Sequence, residues 1–362
     1  MLYDIAEEMH TNGVDCILIC GRELNRKGIF TSIIVFNEYE RSSALSRLSS
    51  WLKFTRNTHL WLKVNADSYS SIFMVSNPPF NLYIPLFNKK IRNKNTSYLI
   101  YDLYPDIFRK MMPFISLIPS FIMKILNKRS FQYINNIYTP SEGLKSAVRK
   151  YTDKKITTVY NWTNLDLIRP IPKYENRFLR MHQLQDKFIV LYSGNLGKTH
   201  DTDTLLKCTE LTKDNNSIAY VFIGHGDGMN KVLNKIQEGS KNIYYFPWQE
   251  DEMFLHSIAC GDLAWVGYRK GFEEYSIPSK LPFFLASGTP VISIGEKESE
   301  LTKLITNNKA GYHIANGASQ ELAALLQELQ NNPDDKMKLH CIETASKLFS
   351  RENAKILNAN VS

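Results

Sequence analysis

Short apolar runs alternate with amphipathic segments along most of this chain, and that alternation constrains the fold more than any other feature. A strand-length apolar run followed by a helical period, repeated, is the pattern of β-α-β units, whose strands lie in parallel sheets covered by helices. In the first half the strand-like runs are Cys16–Cys20, Thr31–Phe36, Ile72–Ser76, Ser97–Tyr101, Asn136–Thr139 and Ile156–Tyr160. Helical pattern fills Ser42–Asn65, Phe80–Ile91, Ile115–Tyr133 and Ser141–Tyr151. The polar stretch Pro170–Asp186 has no clear period and reads as a linker. The pattern then restarts with runs at Phe188–Tyr192, Ala219–Ile223, Ile243–Phe246, Leu263–Val266 and Val291–Ile294, and ends in helical segments at Gln320–Gln330 and Asp334–Asn358. We therefore expect an α/β fold with an N-terminal Rossmann-like domain over residues 1–168, a linker over 169–187 and a C-terminal Rossmann-like domain over 188–345. Residues 346–362 form a last helix expected to return to the first domain.

The opening of the chain breaks the pattern. Leu2, Ile5, Ala6 and Met9 share one helix face and Asn12-Gly13 is a stop signal, so a helix precedes the first strand. A doubly wound domain ordinarily opens with the strand that becomes central in its sheet. The expectation is that this strand and its glycine-bearing turn are missing, as in a truncated chain.

Composition narrows the function classes. With 362 residues, 43% of them apolar, the chain can bury two ordinary cores. Its five cysteines form no C-x-x-C pair, which argues for reduced thiols and against a disulfide scaffold or a structural zinc site. The net charge of +8 is unevenly spread: residues 1–160 carry 22 Lys+Arg against 12 Asp+Glu, and the remainder 22 against 24. A basic first half points to an anionic partner. The longest uncharged stretch, the 21 residues Ser68–Asn88, contains Pro78, Pro79 and Pro85 and makes a poor transmembrane helix.

Three strand–loop–helix segments in the second half could carry chemistry. In Val190–Leu206 a buried run ends at Ser193, and Gly194 and Gly197 permit a tight turn before a helix that begins near Asp201. Such a helix start offers free N–H groups to a phosphate, and Lys198 and His200 stand in the same loop. Asp201-Thr202-Asp203 matches the D-x-D metal-diphosphate signature, but Asp is also a preferred helix cap, so no metal is expected. The second segment ends in Gly224-His225-Gly226-Asp227-Gly228, which is not a nicotinamide fingerprint. In the third, Glu273 and Glu274 precede a turn and Ser279-Lys280 opens a helix, where a lysine opposes the helix dipole. Each segment also reads as an ordinary connection. Together they converge on the carboxyl edge of one parallel sheet, where ligands bind in such folds.

These residues resemble the bacterial GT-B glycosyltransferases of family 4. The likeness lies in Tyr192–Asp201, Pro278–Leu281 with Leu285–Ile292, Val221–Gly226, Phe246–Gln249 and Ala259–Asp262, and more loosely in Ser76–Pro79, Asp102–Asp106, Thr139–Ser141 and Asn161–Asn164 with Arg169-Pro170. It implies two Rossmann-like domains facing a cleft, with a nucleotide-sugar donor mainly on the second and the acceptor mainly on the first. By this resemblance Gly194, Asn195, Lys198, His200, Gly224, Gly226, Trp248, Glu274 and Ser279 bind the donor, and Asp102, Glu273 and Lys280 are catalytic. The reaction needs no metal or other cofactor and retains the anomeric configuration, the donor phosphate itself taking the acceptor proton.

The likeness departs in two places. Many relatives carry Glu-x7-Glu where this chain has Tyr275 and Phe283, and the usual basic pair of the phosphate loop is replaced by Asn195 and His200. The implied donor is a UDP-sugar, N-acetylated. The implied acceptor is a saccharide on a polyprenyl diphosphate at the inner face of the bacterial inner membrane, in O-antigen or capsule assembly. Lys124, Lys128 and Arg129, set among apolar residues of Phe108–Phe131, are the expected membrane or acceptor contacts; a core helix with a charged face is the alternative. Rival readings are a sugar-nucleotide epimerase of the same fold and a truncated, non-catalytic nucleotide-sugar-binding partner. Nucleic-acid binding lacks any reading motif.

Overall fold

A computed structural model describes residues 1–22, 28–36, 43–111, 117–272 and 277–359, with backbone alone at positions 44, 108, 110, 111, 117, 118 and 251. The chain divides into two compact units, Met1–Tyr160 with Glu352–Ser362, and Asn161–Arg351.

In the first unit, α1 (Leu2–Thr11) leads to strands β1 (Ile17–Cys20) and β2 (Ser32–Val35), then to α2 (Ala44–Asn65) and β3 (Ser71–Val75). Next come a 3-10 turn at Pro79–Tyr83, α3 (Ile84–Phe87), α4 (Lys89–Arg92) and β4 (Asn95–Leu99). The unit continues through α5 (Asp106–Met111), α6 (Leu117–Phe131), β5 (Asn136–Thr139), α7 (Glu142–Val148) and β6 (Ile156–Thr158). All pairings are parallel: β1 with β2, and β3-β4-β5-β6 in a four-stranded sheet in which Met74 lies opposite Tyr98. Ile5, Ala6 and Met9 of α1 are buried, as their common face requires. The continuous helix expected over Phe80–Ile91 is instead broken into the turn, α3 and α4. Asn88 is extended and caps the Lys90 N–H with its own side chain, which stops α3 and starts α4.

The second unit begins with α8 (Arg177–Met181), inside the stretch expected to be a linker. Phe178 and Leu179 are fully buried there and Asn176 caps the helix, so an apolar pair within a charged stretch makes it part of the unit. Then strands and helices alternate: β7 (Phe188–Asn195), α9 (Thr202–Leu211), β8 (Ile218–His225), α10 (Met229–Gln237), β9 (Ile243–Phe246), α11 (Asp251–Ile258), β10 (Leu263–Gly267), α12 (Leu281–Ala286), β11 (Val291–Ile294), α13 (Glu300–Asn307), β12 (Gly311–Ile314), α14 (Ser319–Asn331) and α15 (Asp335–Leu348). The final helix, α16 (Glu352–Asn358), packs on α1 in the first unit.

The six strands of the second unit run parallel in the order β12-β11-β10-β7-β8-β9. This is the doubly wound order, entered at the centre and extended first to one edge and then to the other. Its central strands are buried on both faces, and Tyr192, Tyr220, Phe222 and Trp265 belong to one continuous core. Among the described residues, no helix is long and apolar enough to cross a membrane.

Candidate active site

The winding reverses between β7 and β10, which are neighbours in the sheet although three strands apart in sequence. The connections that follow them diverge to opposite faces, and the carboxyl edge opens between them. That edge collects the three segments singled out in the sequence.

At the end of β7 the backbone runs unusually close to β8. Gly194 and Gly224 face each other in register with φ of +137° and +123°, and a Cβ at Gly224 would stand 2.3 Å from the Gly194 carbonyl oxygen. Only glycine tolerates both the dihedral and the approach. Gly226 is equally confined, its Cβ position 2.3 Å from Asn195 Oδ1. The loop after β7 turns back on itself through Leu196 N–H donating to the His225 carbonyl at 2.7 Å and Gly228 N–H donating to the Leu196 carbonyl at 2.7 Å.

His200 closes this loop over the crevice. Its ring stacks on Tyr268, which follows β10, with centroids 5.5 Å apart and planes 28° apart, and stands edge-on to Tyr192. Arg269 N–H also donates to the Thr199 carbonyl at 2.8 Å, so the loops after β7 and β10 are joined in both backbone and side chain. Burial, followed by the charge on Lys280, lowers the His200 pKa to about 4. The imidazole is therefore neutral near pH 7, a hydrogen-bonding group rather than a cation.

Lys280 immediately precedes α12 and extends under the same loop. Its Nζ lies 3.6 Å from the centroid of the Tyr192 ring, and a Cβ at Gly194 would be only 3.3 Å from it. That ammonium is buried and has no hydrogen-bond partner among the described residues. Burial holds its pKa well below the ordinary lysine value. A ring face offers a cation some compensation, but much less than a carboxylate or a phosphate.

The other expected donor residues are distributed more loosely. Lys198 is exposed and 3.4 Å from Asp227, and Ser279 is exposed. Trp248, half exposed after β9, stacks with Phe254 at 6.2 Å, and Phe254 meets Phe283 edge-on at 5.8 Å. Glu273 and Glu274 lie outside the described residues. The D-x-D pair does not converge: Asp201 is buried as the cap of α9, while Asp203 is exposed and ion-paired with Lys231 and Arg269.

In the first unit, Asp102 follows β4, and the Ser76 hydroxyl accepts from the N–H groups of Tyr101 and Asp102 at 2.9 and 3.1 Å. The residue keeps solvent access at the rim of its loop, yet neighbouring atoms shield the carboxyl and raise its pKa. On α6, Met123, Asn127, Ser130 and Phe131 face inward, while Phe121, Ile122, Lys124, Ile125, Lys128 and Arg129 face out.

Sequence reasoning singled out the glycines, His200 and Lys280, but it missed Tyr268 and Asn316. An aromatic just after a buried run gives a weak signal for Tyr268, and Asn316-Gly317 reads only as a turn.

Residues 177–348 match the family model described as Glycosyl transferases group 1. The matched residues lie within the second unit. The chain is 22% identical over 247 residues to a probable glycosyltransferase, WbjE, of Pseudomonas aeruginosa, covering 64% of this chain and 58% of that protein. It is 25% identical over 177 residues to WcaI of Escherichia coli K12, a putative colanic acid biosynthesis glycosyl transferase, covering 47% and 43%. The chain thus spans less than two thirds of either curated relative. In structure it is similar to Anabaena HepE in complex with UDP-glucose, with a TM-score of 0.73 and 13% identity over 99% of this chain and 93% of that one. The chain has the GT-B fold, with a parallel sheet in each unit.

Proposed function

We propose that this chain is a glycosyltransferase that moves a sugar from a UDP-sugar to a lipid-linked saccharide in the assembly of a bacterial surface polysaccharide. The observation that carries this reading is the Lys280 ammonium, without a hydrogen-bond partner among the described residues and held under a glycine-bearing loop at the switch point of a doubly wound sheet. A bound diphosphate would supply a counter-charge to that ammonium. Backbone N–H groups of the Gly194–His200 loop and Lys280 would stabilise the charge that grows on the leaving diphosphate, without a metal. The polysaccharide-related name of WcaI and the UDP-glucose bound by HepE support the same substrate classes.

In this reading Gly194, Asn195, Lys198, His200, Gly224, Gly226 and Ser279 surround the diphosphate, and Trp248 stacks on the uracil. Glu273 and Glu274 bind hydroxyls of the donor, whose sugar is N-acetylated, and the anomeric configuration is retained. Asp102, with its raised pKa, serves the acceptor hydroxyl from the first unit. The acceptor is a polyprenyl-diphosphate-linked sugar of O-antigen or capsule type. The outward face of α6, with Lys124, Lys128 and Arg129 beside Phe121, Ile122 and Ile125, holds the protein peripherally at the anionic inner face of the inner membrane.

The deciding experiment offers a panel of UDP-sugars to membranes carrying the lipid-linked acceptor. Transfer of label from one UDP-sugar into the lipid fraction is the expected result. Epimerisation of UDP-N-acetylglucosamine with no acceptor added, or no turnover of any donor, would overturn the reading.

A further inference from the structure

Asn316 reaches the switch-point crevice from the far edge of the sheet. It follows β12, the edge strand, and its Nδ2 donates to Asp201 Oδ2 at 2.6 Å and to the Tyr268 carbonyl at 2.8 Å. Asp201 also accepts from the Thr204 N–H at 3.1 Å and the Thr204 hydroxyl at 2.7 Å. The connection continues beyond these pairs. Gly317 N–H donates to Thr204 Oγ1 at 2.7 Å, and the Ser319 hydroxyl donates to the Thr204 carbonyl at 2.9 Å.

A helix cap needs only the bond from the Thr204 N–H. The bonds of Asn316 do nothing for α9. They tie the loops after β7, β10 and β12 into one assembly whose centre is the Asp201 carboxylate. Tyr268 is the residue on which the His200 ring stacks, so Asn316 fixes both the end of the β7 loop, at Asp201, and the platform beneath its histidine. N–H donors aimed at an anion are effective only when held in place beforehand, and displacements near 1 Å are costly.

We propose that Asn316, acting through Asp201 and Tyr268, is a positioning residue that sets affinity for the donor diphosphate by holding the Gly197–Asp201 loop in its binding geometry. The proposal rests on that loop being the diphosphate site. Asn316→Leu keeps the volume and removes both donors; Asn316→Ser keeps a single donor. For Asn316→Leu, the UDP dissociation constant measured by calorimetry should rise about tenfold, the order expected for a lost hydrogen bond to a charged group. The donor KM should rise in parallel, kcat should change much less, and Asn316→Ser should fall between.

Two comparisons separate positioning from bulk stability. Uridine, which has no phosphates, should bind the variants as it binds the unaltered chain. Asn176→Ala, which removes a buried carboxamide bonded to the His256 and Ala259 carbonyls at the opposite edge, should lower the melting temperature and leave the UDP constant unchanged. Should Asn316→Leu fail to fold, Asn316→Ser carries the test alone. Unaltered UDP binding in the folded variants, or equal losses for UDP and uridine, overturns this proposal only. Failure of the unaltered chain to bind UDP removes the site reading, and this proposal with it.

Discussion

The Lys280 ammonium lies 3.6 Å from the centroid of the Tyr192 ring, and no oxygen among the described residues bonds to it. A buried cation without an oxygen partner weakens the ligand-free protein by roughly 1–3 kcal/mol or more. Lys280→Met should therefore raise the melting temperature of the ligand-free chain by several degrees while cutting turnover of the UDP-sugar on the order of 10²-fold. Calorimetric melting and a transfer assay on the same preparation check both halves. A lower melting point would mean that the ring face already stabilises the charge.

His200 gives stability a distinct acid limb. Its folded pKa of about 4 lies below the ordinary histidine value, so the folded chain resists a proton that the unfolded chain accepts. Above the ordinary value both states are neutral and nothing is lost. As the pH falls from about 6.5 towards 4, stability should drop by as much as roughly 3 kcal/mol. His200→Asn should flatten that limb in denaturant titrations run at stepped pH, leaving any change at pH 8 independent of pH.

Trp248 is half exposed and already stacked on Phe254, so it can present its free face to a base without rearranging. Base stacking on an aromatic is worth about 1–3 kcal/mol by alanine substitution. Trp248→Ala should weaken UDP binding by about ten- to a hundredfold with an unchanged melting temperature. Equal affinity for UDP in the variant would place the base elsewhere.

On the outward face of α6, Phe121 and Ile125 are one turn apart, with Lys124, Lys128 and Arg129 around them. Replacing Phe121 and Ile125 together by Asp should abolish co-sedimentation with phosphatidylglycerol-rich vesicles. Binding of the unaltered chain should weaken as salt rises, because the attraction of exposed cations to anionic lipid is screened over about 10 Å at 0.1 M. Sedimentation that ignores both salt and these substitutions would exclude this face.

Much of the architecture was legible because parallel strands buried on both faces are written as uninterrupted apolar runs. Val190–Tyr192, Val221–Ile223 and Val291–Ile294 could scarcely be anything else. β12 escaped notice because Gly-Tyr-His-Ile, at the sheet edge, is only partly buried and carries a polar residue. The broken helix around Asn88 and the buried pair Phe178-Leu179 were missed because a cap and a packing partner are tertiary facts. At the candidate site the glycines could be read, since tight turns demand them. The bond from Asn316 to the Asp201 carboxylate could not, because the two residues are 115 positions apart.

The hydrogen bonds at the unit boundary bear on how such a chain could be altered. Thr163 N–H donates to the Phe349 carbonyl at 3.0 Å, and the Asn353 carboxamide donates to the Tyr160 carbonyl at 3.0 Å. The chain leaving the first unit at Tyr160–Thr163 therefore runs beside the chain returning to it at Phe349–Asn353. Asn161–Arg351 behaves, in covalent terms, as an insert whose two ends meet. A segment of that kind can be exchanged as a cassette through one pair of neighbouring junctions. In the proposed reading, donor preference could then be replaced wholesale while the packing of α1 on α16 in the host unit is left untouched.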